Sequence, residues 1–101
     1  MKLKNNISIE TLMQDYKQQC FDVRQLNLIY EGLVNGLDVS IYAKPIYDTF
    51  QMYAIKRGLE EGLDVQLYTD PSLSVFDMAQ IYDELLGAEE GTLLRQIFGS
   101  R

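Results

Sequence analysis

The residue types that most often carry catalysis are sparse in this 101-residue chain. It contains no histidine, so it lacks the usual general base near neutral pH and the commonest zinc ligand. Asp83 and Glu84 form a carboxylate pair, but adjacent helical residues diverge by about 100° and do not face one substrate. The single cysteine, Cys20, is expected to be a small hydrophobic residue at a helix end. The sequence therefore predicts a protein that is not an enzyme and has no catalytic residue, metal or cofactor.

Acidic residues are concentrated in the second half of the chain. The net charge is −6, and the stretch from Gly58 to Leu94 has nine acidic residues and no basic one. Such a surface repels the phosphate backbone, which argues against direct nucleic-acid binding. Its carboxylates could instead occupy a basic channel of another protein that normally holds phosphates. The alternative is that these acids are only a solvated helical face and helix caps.

A repeat predicts the architecture that would position these residues. Residues 21–46 and 47–72 align without a gap at eleven identical positions, a period of 26 residues. A degenerate third copy begins at Leu73, in which Ala88 stands at the position of a glycine. We expect one all-α, solenoid-like helical-repeat domain covering residues 1–101. Its parts are an N-terminal capping helix (1–20), repeat 1 (21–46), repeat 2 (47–72), and a degenerate repeat 3 with a C-terminal cap (73–101).

Each repeat is predicted to contain a long helix, a glycine, a short helix and a proline turn. Residue types that cap helix N-termini precede each long helix: Asp22, Asp48 and Ser74. Ser8 has the same role before the N-terminal capping helix. Glycine follows each of the first two long helices, where a left-handed residue is needed, at Gly36 and Gly62. A short helix of about one to two turns should then begin at Asp38 or Asp64 and end before Pro45 or Pro71.

Two further features concern packing. Gly32 and Gly58 lie inside the long helices, where glycine costs about 1 kcal/mol relative to alanine. We expect their missing side chains to let the short helix of the adjacent repeat approach closely. Near the end of the chain, "GTLLRQIFGSR" takes the place of a third short helix. Its apolar residues should face inward: Leu93, Leu94, Ile97 and Phe98.

The repeat phrase G-L-x-x-G-L-D-V-x-x-Y-x-x-P resembles short tandem repeats of uncharacterised proteins from Firmicute conjugative elements and their phages. The second copy carries this pattern closely, from Gln51 and Met52 to Tyr68 and Pro71. The first copy departs from it at Leu26, where the pattern has methionine, and at Val34, where an acid is common. The resemblance covers about residues 21–86 and implies a mobile-element gene and a bacterial cytoplasmic setting. It implies no biochemical activity.

Two functional hypotheses follow. In the first, the protein is a non-catalytic interaction module that inhibits a host nucleic-acid-binding defence effector, in the manner of anti-CRISPR or anti-restriction proteins. The acids that would make the contact are Glu60, Glu61, Asp83, Glu84, Glu89 and Glu90. In the second, it is an accessory adaptor that binds a conjugation or replication protein of the element through exposed aromatics, Tyr53 and Tyr82. Neither hypothesis involves a membrane, and both leave a homo-oligomer open.

Overall fold

The computed structural model describes residues 8–99, and the regular elements of this range are helical. Five α-helices follow one another: α1 (Ile9–Lys17), α2 (Val23–Val34), α3 (Thr49–Glu60), α4 (Val75–Leu86) and α5 (Thr92–Phe98). Two short 3-10 helices, Val39–Ile41 and Val65–Leu67, follow α2 and α3. The prediction of an all-α fold is confirmed. The first seven residues of the predicted capping unit and the last two of the C-terminal cap lie outside the described residues.

The helices begin at the residues that the sequence indicated. The side chains of Ser8, Asp22, Asp48 and Ser74 each accept a hydrogen bond from the backbone N–H three residues later. At Asp22 and Asp48 a second hydrogen bond runs in the opposite direction. The backbone N–H of each cap residue donates to the side chain of the glutamine three residues later, Gln25 or Gln51. These reciprocal bonds satisfy two of the N–H groups that a helix start leaves open.

Glycine ends all three long helices. Gly36 and Gly62 have φ of 76° and 73°, in the left-handed region that favours glycine. The third long helix also ends at a left-handed glycine, Gly87, with φ of 77°. The expectation that Ala88 replaces the glycine is therefore wrong. The glycine is kept one residue earlier, and α4 ends there.

The predicted short helices are 3-10 helices of three residues each. Asp38 caps the first by accepting a hydrogen bond from Ser40 N at 3.2 Å. Asp64 makes no such side-chain bond, so the expectation that Asp64 is engaged as a cap is wrong. In both predicted repeats the tyrosine that follows the short helix ties it to the preceding long helix. The buried hydroxyl of Tyr42 donates to Leu28 O at 2.7 Å, and that of Tyr68 donates to Ala54 O at 2.8 Å.

Gly32 and Gly58 make room for these tyrosines. A Cβ built on Gly58 would overlap the Tyr68 hydroxyl and lie 2.5 Å from Val65 Cγ1. The same construction on Gly32 would overlap the Tyr42 hydroxyl. A short helix does approach each glycine closely, as expected, but it is not the short helix that was expected. The 3-10 helix that packs on each glycine is the one following its own long helix, rather than one from the adjacent predicted repeat.

Two buried glutamines join successive long helices. Gln25 Nε2 donates to Tyr47 O at 2.8 Å, and Gln51 Nε2 donates to Leu73 O at the same distance. The acceptors lie in the segments that lead into α3 and α4. Since a buried carbonyl without a partner is costly, these bonds fix where the chain enters the next helix.

The core extends along the whole described range, and α3 contacts α2, α4 and α5. Its largest fully buried side chains are Tyr42, Tyr68, Tyr82, Ile29, Met52, Ile55, Met78 and Leu93. Of the four α5 residues expected to face inward, Leu93 is buried, and Leu94 and Ile97 are half-buried. Phe98 is 50% exposed, so its predicted inward orientation is wrong.

Candidate protein-binding face

Asp83, one of the acids assigned to partner binding, has an internal role. It is 4% exposed, and its carboxylate accepts hydrogen bonds from Gly91 N at 2.9 Å and Leu93 N at 3.1 Å. These N–H groups belong to the N-terminal end of α5, where the cap residue Gly91 has no side chain to accept them. Asp83 therefore holds the start of α5 against α4 and is not available at the surface.

Glu60 and Glu61, two more of these acids, pair with basic residues of their own helix. Glu60 contacts Lys56 Nζ and Arg57 Nη1, both at 2.6 Å. Glu61 contacts Arg57 Nη2 at 3.0 Å. Lys56 is 6% exposed and also lies 3.4 Å from Glu31 of α2. The ion pairs thus compensate a buried ammonium group rather than leaving free carboxylates.

The electrostatics of this ion cluster follow from its contacts. Partial burial by itself would raise the pKa of Glu60, but hydrogen bonds from Lys56 and Arg57 outweigh it and lower that pKa. For Arg57 the directions are reversed. Burial by itself would lower its pKa, but hydrogen bonds to Glu60 and Glu61 outweigh this and raise the pKa. Arg57 also reaches Gln96 of α5 at 3.1 Å. The pKa shifts of Glu60 and Arg57 thus favour the charged forms of both side chains, and the cluster joins α3 to α2 and α5.

Replacing Glu60 by glutamine is expected to destabilise the fold by about 1–2 kcal/mol at pH 7. This is less than the 3–5 kcal/mol of a fully buried pair, because the Glu60 side chain is 22% exposed and Lys56 keeps Glu31. Since the folded-state pKa of Glu60 is lowered, its contribution is present above the unfolded pKa of about 4.3 and is lost as the pH falls through the folded pKa. Urea unfolding at pH 7 and pH 3 measures this.

The matched control is Glu84→Gln, at an exposed residue of α4 that takes part in none of the ion pairs recorded within residues 8–99. It should change stability by less than about 0.5 kcal/mol at either pH. Equal effects of the two substitutions at pH 7 would contradict the importance assigned to the cluster.

The other residues predicted to bind a partner are three acids and two tyrosines, and they differ in how exposed their side chains are. Glu84, Glu89 and Glu90 are exposed, as the inhibitor hypothesis requires. Tyr53 is half-buried. Tyr82 is 0% exposed, and its hydroxyl lies 3.3 Å from Arg57 Nη2. The expectation that Tyr82 is an exposed aromatic anchor is therefore wrong.

Three exposed phenylalanines lie close together instead. Phe50 and Phe76 are the second residues of α3 and α4, and Phe98 is the last residue of α5; they are 40%, 60% and 50% exposed. The ring centroid of Phe98 lies 5.2 Å from that of Phe50 and 6.0 Å from that of Phe76. We call these three residues the phenylalanine face.

An apolar groove adjoins the phenylalanine face between α2 and α3. Its volume is about 260 Å³. It is lined by the apolar side chains of Leu28 and Phe50, by Tyr53, and by the exposed residue Arg24. The other lining residues are Asn27, Thr49 and Ile97. A groove of this size and character suits one or two apolar side chains of a partner rather than a polar substrate.

The phenylalanine face could have been found from helical geometry. Phe50 and Phe76 each precede a core methionine, Met52 or Met78, by two residues. Two residues are about 200° of helix, so each phenylalanine faces away from the apolar stripe. Phe98 gave no such signal, because α5 is only seven residues long.

No protein-family model, curated protein or solved structure matches the chain. Within residues 8–99, no three His, Cys, Asp or Glu side chains are grouped so that they could hold a metal ion. Among the helices described, none is long and apolar enough to cross a membrane.

Proposed function

We propose that this protein is a non-catalytic module that binds a protein partner through the phenylalanine face. The observation that carries this proposal is that the exposed ring of Phe98 packs near the exposed rings of both Phe50 and Phe76, beside an apolar groove. Exposed aromatic groups are costly in water, and a contiguous patch of them typically marks an interaction site. Aromatic anchors next to a pocket are also the usual centre of a protein interface.

The scaffold of this module is proposed to be a tandem helical repeat with a 26-residue period. In support, the three long helices begin at residues 23, 49 and 75. The tyrosine–carbonyl and glutamine–carbonyl bonds recur at the same spacing. In a solenoid of this kind each repeat adds one residue to a continuous surface. Here the second position of the long helix supplies Arg24, Phe50 and Phe76 in turn.

The partner is proposed to be a conjugation or replication protein of a mobile element, which makes this chain an accessory adaptor. The setting rests on the resemblance of the repeat phrase to those of Firmicute elements and phages. The choice of an adaptor over an inhibitor rests on charge, because Asp83, Glu60 and Glu61 are engaged within the fold. Contacts through apolar anchors fit an adaptor better than mimicry of phosphates does.

Inhibition of a nucleic-acid-binding defence effector is the second candidate. One observation favours it: Glu84 and Glu90 line a cavity of about 220 Å³ at the junction of α4 and α5, and Glu89 is exposed nearby in sequence. Binding through these three acids would weaken steeply with salt, whereas binding through the phenylalanine face would not.

Substituting Phe76 and Phe98 together by serine is expected to abolish capture of the partner from a Firmicute host lysate. The matched control is Leu67→Ser, which changes a residue of similar exposure (58%) on the second 3-10 helix. It should capture the same proteins as the wild type, at low and at moderate salt. If the double variant captures them equally well, the phenylalanine face is not the binding site. If the wild-type protein captures its partner at low salt but not at moderate salt, the result would favour the exposed acids as the binding site.

A further inference from the structure

The groove beside the phenylalanine face continues across α2. A second cavity of about 570 Å³ lies between α1 and α2, and Asn27 lines both. Two of its lining residues are exposed apolar side chains, Val23 at 72% and Tyr30 at 48%. Exposed apolar side chains therefore lie on α2, on α3 and, at Phe76, on α4, and the second cavity adjoins them on the side of α1.

The length of this surface limits what can cover it. Helices that pack together lie about 8–10 Å apart, so three successive spacings from α1 to α4 make about 25–30 Å. This fits within the longest dimension of the described chain, 40 Å. A helix rises about 1.5 Å per residue, so one of about 18 residues would span the surface. A single side chain or a small molecule would leave most of it exposed.

The charge of this surface differs from that of the whole chain. The two cavities are lined by two basic residues, Arg24 and Lys17, and by one acid, Glu10. None of the ion pairs found among residues 8–99 includes Arg24 or Lys17. The acid-rich stretch from Gly58 to Leu94 contributes no residue to either cavity. Arg24 thus lines an apolar groove and belongs to no ion pair of residues 8–99.

We infer that the segment covering this surface is an amphipathic helix of the partner, with apolar side chains in the two grooves and a carboxylate placed to meet Arg24. This inference rests on the proposed function, since it names the chemistry of the partner at the same site. Apolar residues at helical spacing fill grooves of this kind, and Arg pairs with carboxylates through two parallel hydrogen bonds. Because the chain carries a net charge of −6, a preference for an acidic partner must come from this local site.

The probes are two fluorescent amphipathic peptides of about 18 residues. Both carry leucine at positions i, i+3, i+4 and i+7, with glutamate on the flanks of the apolar stripe in one and lysine in the other. Fluorescence anisotropy should show the glutamate peptide binding at least about tenfold more tightly than the lysine peptide. Arg24→Gln should remove most of that difference. The matched control, Lys44→Gln, removes the same charge from an exposed residue that lines neither cavity and should change affinity less than about twofold.

Three results of the peptide measurements would overturn the inference. They are equal or tighter binding of the lysine peptide, equal effects of Arg24→Gln and Lys44→Gln, and no binding of either peptide. Sedimentation of the wild type and of Phe98→Ser is measured in parallel. A dimer that dissociates in Phe98→Ser would show that a second copy covers the surface, which also excludes a partner helix.

Failure of this inference is distinguishable from failure of the proposed function. If the lysine peptide binds equally well and Phe50→Ala weakens both peptides, the face binds protein segments without the acidic preference. If lysate capture is also insensitive to Phe76→Ser with Phe98→Ser, the face has no binding role.

Discussion

Replacing Gly58 by alanine is expected to destabilise the fold by about 1–3 kcal/mol through overpacking. In an ordinary helix the same change stabilises by about 1 kcal/mol, so a loss of stability has the opposite sign to helix propensity. The reason is that the new methyl group would overlap the Tyr68 hydroxyl and press on Val65 Cγ1. Tyr68 cannot move away cheaply, because it is 0% exposed and donates to Ala54 O.

A double-mutant cycle tests that reason directly. Tyr68→Phe alone should cost about 1 kcal/mol, since it removes one buried hydrogen bond. When Gly58 is already alanine, Tyr68→Phe should cost nothing or should restore stability. The reason is that Tyr68→Phe removes the hydroxyl oxygen that the alanine methyl group overlaps. Urea denaturation would then give a coupling energy of at least about 1 kcal/mol between the two sites.

Gly32→Ala should behave like Gly58→Ala, since its Cβ would meet Tyr42 in the same way. Gln80→Ala, at an exposed position of α4, is the control and should lie within about 0.5 kcal/mol of the wild type. Additive effects of Gly58→Ala and Tyr68→Phe would contradict the close-approach explanation.

Replacing Asp83 by alanine is expected to destabilise the fold by about 2–4 kcal/mol. The substitution leaves Gly91 N and Leu93 N without their acceptor at the start of α5, and hydrogen bonds to a charged group are among the strongest in proteins. It also affects binding, since α5 carries Phe98 into contact with Phe50 and Phe76. Amide hydrogen exchange should show α5 losing protection before α2 and α3 do.

Glu84→Ala is the control for Asp83→Ala, because it removes the same charge from the next residue, which is exposed. It should change stability by less than about 0.5 kcal/mol. Asp83→Asn should fall between the two, since the asparagine carbonyl can still accept one of the two bonds. If Asp83→Ala matches Glu84→Ala, Asp83 does not hold α5 in place.

The ends of the helices could be predicted from the sequence because their signals are local. A cap such as Asp22 or Asp48 acts on an N–H three residues away, and a left-handed glycine such as Gly36 acts on its own turn. The lack of a side-chain bond at Asp64 could not be predicted, because capping also depends on the side-chain rotamer, which the residue type does not fix. The partner of Gly58 was misjudged because a glycine marks a close approach without indicating which segment approaches.

The candidate site was harder to predict, because exposure is a tertiary property. Asp83 is adjacent to Glu84 and has the same charge, yet its bonds reach residues eight and ten positions later. The burial of Tyr82, in contrast, follows from its position in the helix. Tyr82 follows Met78 by four residues and so lies on the apolar stripe of α4. The phenylalanine face does not follow from the apolar stripes, because Phe50 and Phe76 lie off them.

The tyrosine–carbonyl bonds described above have a consequence for how the chain folds during its synthesis. Each joins residues only 14 positions apart, and the glutamine bonds that follow join residues 22 apart. Closing such short loops loses little chain entropy, and folds built from local contacts form quickly. Tyr42 can dock on α2 before α3 has left the ribosomal exit tunnel, and Tyr68 on α3 before α4 has left it. Folding in the order of synthesis would leave little apolar surface exposed on the ribosome at any time.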